Sequence, residues 1–346
     1  MLLVVLGAGA SYDSASSRYI FNKGDPGYRY MDHRPPLAAE LFSDRASFVA
    51  VMAKYHQCHP IIPRLQSPPE ESSVEQELQR LQHEARDYRE GYPQLSAVRY
   101  YLQEMIWECT TLWKKEVQGI TNHKVLLDDI RRWTKPGEKR VCFVTFNYDL
   151  MLEDAFEGIG IRFNDLDAYI SNQDFLLIKL HGSVNWAREV KTHWPDIQRL
   201  DPPSIAQELI QGSAGLQLSQ NYILIDEYPP APRKKLALFP ALAIPVETKL
   251  DFECPSAHVD ALKKFLPQVS KILMIGWRAT EALFLEMLKQ ELRQRVLVMA
   301  VAGGKEESAQ AMQNISSQGT SAQYCLSLGG FTDCILDRQI EEFLKL

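Results

Sequence analysis

Several short runs of this chain are apolar almost throughout, and helical spacing falls between them. The runs are Leu2–Leu6, Val141–Thr145, 175–180, 222–225, 272–275, Val296–Val301 and 323–328. Most do not alternate apolar with polar, the pattern of strands buried on both faces of a parallel sheet. Apolar residues at three- and four-residue spacing follow in 150–156, in 279–292 (ATEALFLEMLKQEL), in 306–315 and in 332–346. Strand then helix, repeated, predicts an α/β fold: a Rossmann-like, doubly wound, mostly parallel sheet.

The alternation breaks twice. The gap between the first two runs is too long for a single crossover. Residues 12–36 read as a polar loop with many Gly and Tyr, and residues 37–134 as mostly helical, most clearly in VEQELQRLQHEARDYREGY and LSAVRYYLQEMIWECTTLWKKEV. This predicts a helical subdomain at 37–134 inserted into a sheet domain assembled from 1–36 and 135–346. The second break, about 187–240, is rich in Pro, Ser and Gln and reads as irregular, with only 222–225 strand-like. Neither an internal repeat nor a low-complexity tail is evident.

Composition narrows the function classes. With 45% hydrophobic and 24% charged residues among 346, the chain is ordinary for a globular protein. No apolar run approaches the roughly 18 residues of a membrane helix. The first apolar run is too short, and lacks the basic lead, for a signal peptide, so a cytoplasmic location is expected. A net charge of −6 gives no support for a nucleic-acid surface driven by bulk charge. The six cysteines are scattered without a C-x-x-C pair, so no zinc ribbon is expected. Cys142 and Cys325 lie in strand-like runs and read as core thiols. His56, Cys58 and His59 lack a fourth ligand at a recognised spacing. The basic stretch 131–140 reads as a solvated loop, Trp107 and Trp113 as helix core, and 228–232 as a surface loop.

Candidate chemistry gathers where strands end. Leu2–Leu6 runs into Gly7-Ala8-Gly9-Ala10-Ser11, where two glycines allow a tight turn and a close approach to a pyrophosphate. This loop lacks a third small residue and is expected to run into polar chain rather than to start a helix. The second strand ends in Thr145-Phe146-Asn147-Tyr148-Asp149, the third in Leu180-His181-Gly182-Ser183, and a later one in Gly276-Trp277. Taken singly, each is ordinary: Asn147 or Asp149 caps a helix, His181 and Ser183 sit in a turn, and Gly276 makes a tight turn. Ligands of open α/β sheets bind beyond the carboxyl ends of the strands, so four such ends make one candidate rim.

Together these residues resemble the sirtuin family. GAGAS is similar to its phosphate loop, TFNYD to its Asn-x-Asp element at the nicotinamide end, LHGS to the segment holding its catalytic histidine, and IGW to its later glycine strand end. TFNYDLMLE and KLHGSVNW more closely resemble sirtuin-like NAD hydrolases of bacterial anti-phage defence. The resemblance covers pieces of 1–36 and 137–330. It implies NAD as substrate, Asn147 and His181 as catalytic residues, and NAD contacts from Gly7, Ala8, Gly9, Ser11, Asp149, Gly182, Ser183 and Gly276. It also implies restraint by self-assembly into a homo-oligomer, or by a partner protein such as an ATPase. Two departures stand: the cysteine pairs of the deacylase zinc module are absent, and the late Asn-x-Glu element has no match in VLVMAVAGG. Two other readings stay open, an NAD or ADP-ribose sensor without chemistry and an enzyme that modifies proteins.

Overall fold

The pentapeptide Leu2–Leu6 forms β1, wholly buried, in the middle of a six-stranded parallel sheet. The computed structural model describes residues 1–15, 28–69, 72–134, 137, 140–191, 199–230, 237–246, 251–317, 322–326 and 329–346. After β1 come helices α1 (Ala8–Tyr12), α2 (Ala46–Met52), α3 (Ile62–Gln66), α4 (Val74–Asp87), α5 (Gly91–Glu116) and α6 (Asn122–Trp133). Next are β2 (Val141–Thr145), α7 (Met151–Gly158), α8 (Ala168–Ser171), β3 (Phe175–Lys179), β4 (Gly182–Val190), α9 (Pro202–Gln211), β5 (Leu218–Leu224) and β6 (Leu238–Leu242). The chain continues through α10 (Ser256–Phe265), β7 (Lys271–Ile275), α11 (Ala282–Glu291), β8 (Val296–Val301), α12 (Lys305–Ser317), β9 (Ala322–Leu326), α13 (Phe331–Leu336) and α14 (Gln339–Lys345).

The large sheet runs β3-β2-β1-β7-β8-β9. Two halves diverge from β1, the doubly wound order, and the direction of travel reverses between β1 and β7. Consecutive residues of β1 and β2 are all buried, so both faces of the sheet are covered. The register is level: Leu6 pairs with Thr145 and with Ile275, Thr145 with Lys179, and Ile275 with Val301. Five strands therefore stop along one line, and the residues after them face one rim.

A second, three-stranded antiparallel sheet runs β5-β4-β6. It shares a hydrophobic core with α2 to α5 and α9, through Phe42, Leu78, Leu102, Val184, Leu209 and Phe239. Helix α4 starts on a reciprocal cap: Ser73 Oγ accepts the Gln76 N–H at 3.1 Å and the Gln76 side chain accepts the Ser73 N–H at 3.2 Å. Helix α6 packs on the large sheet instead, through Leu126, Leu127 and Ile130.

Three sequence expectations need correction. Among its described residues the region 187–240 is not irregular: it holds the end of β4, α9, β5 and the first residues of β6. The strand expected at 222–225 is β5, and it belongs to the antiparallel sheet. A short helix does follow Gly7, with Gly7 in extended conformation as its N-cap. The basic stretch at 131–140 begins inside α6, and its residues 135, 136, 138 and 139, like much of the loop at 12–36 and residues 231 and 232, lie outside the described residues. Cys142 and Trp113 are core residues, while the side chain of Cys325 is outside the description. Among the described residues no helix is long and apolar enough to cross a membrane.

Candidate functional site

The loops after β1 and β7 touch backbone to backbone. Gly7 N–H donates to Ile275 O at 3.0 Å, Gly9 N–H to Gly276 O at 3.1 Å, and Gly276 N–H to Val301 O at 2.8 Å. A Cβ on Gly7 would lie 2.5 Å from Gly276 O, and one on Gly9 2.8 Å from Gly276 Cα. Gly276 has φ +59° and is sealed against the first loop. The glycines of GAGAS are thus required by the neighbouring loop, before any ligand is considered.

A polar network lies under that contact. Asn147 Nδ2 donates to Gly7 O at 2.9 Å and to Ser11 Oγ at 2.8 Å. Ser11 Oγ donates to Asp149 Oδ2 at 2.6 Å, and Asp149 Oδ1 accepts the N–H of Met151, the first residue of α7, at 3.0 Å. Both amide hydrogens of Asn147 are spent, and Gly7 O can only accept, which fixes the amide orientation and leaves Oδ1 as the acceptor for a ligand. Behind the loop, the Lys179 ammonium donates to the Asp149 carbonyl and, at 2.9 Å, to Glu153.

His181 stands at the corner between the two sheets. The chain leaves β3 at Lys179 and enters β4 at Gly182, whose φ of +80° makes the turn. A Cβ on Gly182 would meet Ala241 O at 1.9 Å, so only glycine fits the crossing. The His181 carbonyl accepts the Ala243 N–H at 2.9 Å. The residue is 8% exposed, and its ring lies 4.8 Å from that of Phe146 and 6.5 Å from that of Tyr148.

These residues open onto a cavity of about 1120 Å³ at the point where the strand order reverses. Its floor is Gly7, Ala8, Gly9, Ser11, Asn147, Asp149, His181 and Gly276. Leu65, Val74 and Ile106 from the helical layer and Val246 after β6 close it with apolar surface. Gly182 and Ser183 do not line it: Ser183 is wholly buried and its hydroxyl donates to Tyr148 O at 3.3 Å. Those two expected ligand contacts serve the sheet corner instead.

Arg34 is the site residue that the sequence did not single out. It lines the cavity, is 6% exposed, donates from Nε to Tyr12 O at 2.7 Å, and stacks its guanidinium 3.6 Å above the Tyr12 ring. Burial lowers its pKa, Tyr12, Asp13 and Glu40 oppose that, and a guanidinium stays cationic throughout. Only its place after a Tyr- and Gly-rich loop hinted at it. Arg278 reaches from the other rim to Glu75 of α4 at 2.7 Å. The metal candidates near 58 are occupied locally: the His59 ring meets Met52 O at 3.1 Å, and the Cys58 thiol, its pKa pushed up to about 12 by burial, donates to Tyr55 O at 3.0 Å. Among the described residues no group of three or more His, Cys, Asp or Glu side chains is placed to hold a metal ion.

Residues 141–237 match the family model of a SIR2-like domain, which supports similarity to sirtuins and fits NAD-related chemistry. The matched stretch spans β2 to the edge of β6 and contains Asn147, Asp149 and His181, while Gly7 to Ser11 and Gly276 lie outside it. No curated protein matches the chain.

Proposed function

We propose that this chain cleaves the bond between nicotinamide and ribose in NAD, giving nicotinamide and ADP-ribose. The observation that carries the proposal is the convergence of Asn147 and His181 on one cavity floor, within the SIR2-like stretch and beside the GAGAS turn. Residues 1–36 and 135–346 then form the catalytic domain and 37–134 the helical insertion, whose α3 to α5 roof the cavity while α6 packs on the large sheet. The cellular role we assign is NAD depletion in anti-phage defence, in the cytoplasm, restrained by homo-oligomer assembly or by a partner such as an ATPase. That role rests on the likeness of TFNYDLMLE and KLHGSVNW to defence NAD hydrolases.

Nicotinamide in NAD is cationic on its ring nitrogen. When the glycosidic bond breaks, its electron pair neutralises the ring, so departure needs no general acid. Positive charge moves to the ribose in an oxocarbenium-like transition state, and water completes the reaction. Asn147 Oδ1 accepts from the nicotinamide amide or from the attacking water. His181 takes the proton from that water or from a ribose hydroxyl, a task suited to an imidazole. Asp149 holds Ser11, and its negative charge faces the developing cation. The pyrophosphate lies along Gly7 to Ser11, with Arg34 as the counter-charge.

Purified protein incubated with NAD should release nicotinamide, measured by chromatography. Asn147→Ala and His181→Ala should each abolish release with an unchanged circular-dichroism spectrum. Full turnover in both variants sinks the proposal. Tight NAD binding without release points to a sensor, and label transferred from NAD to protein points to a transferase.

A further inference from the structure

Lys179 is the last residue of an otherwise apolar strand, FLLIK, and is wholly buried. Burying an ammonium is costly unless it is paired and hydrogen-bonded. Sheet packing does not ask for it, because an apolar residue would fill the same place. Its hydrogen bonds show what it does instead. Nζ donates to the main-chain carbonyl of Asp149 and to Glu153 Oε1 at 2.9 Å. The Tyr169 hydroxyl donates to the same carboxylate oxygen at 3.1 Å. Three pieces of chain meet at one ammonium: the end of β3, two residues before His181; the loop carrying Asn147 and Asp149; and α7.

We infer that Lys179 and Glu153 are positioning residues that set His181 against Asn147 for glycosidic cleavage. The inference rests on the NAD-cleavage reading of the cavity. The two loops come from neighbouring strands, and β2–β3 pairing ends at Thr145 and Lys179. Beyond that pair the main chain still ties the two loops on either side of His181, through Leu180 N–H to Thr145 O at 3.1 Å and Val184 N–H to Tyr148 O at 2.9 Å, and the Lys179 side chain adds the link that reaches Asp149. Glu153 also balances the charge. An unpaired ammonium directly behind the loop would oppose the positive charge that grows on the ribose, whereas the pair is neutral. The pair is not tuned for stability: Glu153 Oε2 is buried without a hydrogen-bond partner among the described residues, and burial raises the pKa of the carboxyl.

The test is the double variant Lys179→Met/Glu153→Leu, which removes both charges and keeps the volume. Replacing a buried ion pair by apolar groups is often neutral for stability. The expected result is an unchanged urea midpoint, a KM for NAD within about threefold of wild type, and kcat lower by about 100-fold, the scale of an ångström-sized misplacement. A double variant that folds and keeps wild-type kcat overturns the inference. Should the double variant not fold, Glu153→Asp provides the second measurement. It keeps the charge but draws the carboxylate back by one methylene, and should lower kcat by about tenfold at constant KM; wild-type kcat there overturns the inference equally. Wild-type protein that releases no nicotinamide refutes the NAD-cleavage reading itself, so the two failures are distinguishable.

Discussion

Gly276→Ala isolates the contact between the two loops. The new Cβ would lie 2.2 Å from Ala10 N, 2.4 Å from Gly9 C and 2.6 Å from Gly9 Cα, all main-chain atoms that cannot swing away. The residue also holds φ +59°, which costs an L-amino acid about 1–2 kcal/mol. Overpacking a tight contact adds roughly 1–3 kcal/mol. The lower backbone entropy of the unfolded alanine chain returns about 0.4–1 kcal/mol. The net expectation is a loss of about 1–4.5 kcal/mol. Urea unfolding in the absence of nucleotide measures it as a lower midpoint at constant slope. Gly303→Ala is the control, since a Cβ there meets nothing within 4 Å; it should stay within about 0.5 kcal/mol of wild type. If Gly276→Ala also stays within about 0.5 kcal/mol, the loops do not press on each other as described. A change only in the KM for NAD would then return the glycines to a pure phosphate-binding role.

Two further outcomes follow from single side chains. Burial lowers the His123 pKa from 6.5 to about 4, with Asp149 pulling weakly the other way. The unfolded chain then binds a proton that the folded chain refuses. The stability held above pH 6.5 is therefore lost progressively as pH falls to about 4, on the order of 3 kcal/mol in all. In His123→Leu the drop in urea midpoint between about pH 7 and about pH 5 should be smaller, and equal drops refute the assignment. Arg34→Met removes the cation facing the GAGAS turn and should raise the KM for NAD by about 10- to 100-fold, the value of one charge-assisted hydrogen bond. An unchanged KM excludes Arg34 from the pyrophosphate.

Why some of this was legible in the chain and some not has physical causes. β1, β2 and β8 are covered on both faces, so they are written as unbroken apolar runs that nothing else imitates. Because their register is level, the motifs after them had to converge. β4 was hidden because GSVNWAREV mixes polar with apolar positions along a strand that is only partly covered. β6 was hidden by Pro240, a residue that argues against a strand and is tolerated here because β6 is an edge. Helix α1 has only five residues and no side-chain cap, too little for any periodicity to register. Asn147 and His181 were readable because a strand end announces its next residues. Arg34 was not, because its place against Tyr12 at the cavity comes from the third dimension. Gly182 and Ser183 shared a motif with His181, but the sheet corner, and not a ligand, dictates them.

The central position of β1 has a kinetic consequence. Leu2 pairs with Val141 on one side and with Lys271 on the other. At roughly 5–20 residues per second, a ribosome finishes β1 many seconds before its first neighbour exists, and longer still before its second. Through that interval LLVVL is an unpaired apolar segment, the kind of sequence that seeks another chain's strand edge. The floor of the cavity cannot form until β7 emerges and Gly276 closes against Gly9. Nascent chains arrested before β7 therefore lack the closed cavity floor and are prone to associate, and the floor is completed only late in synthesis.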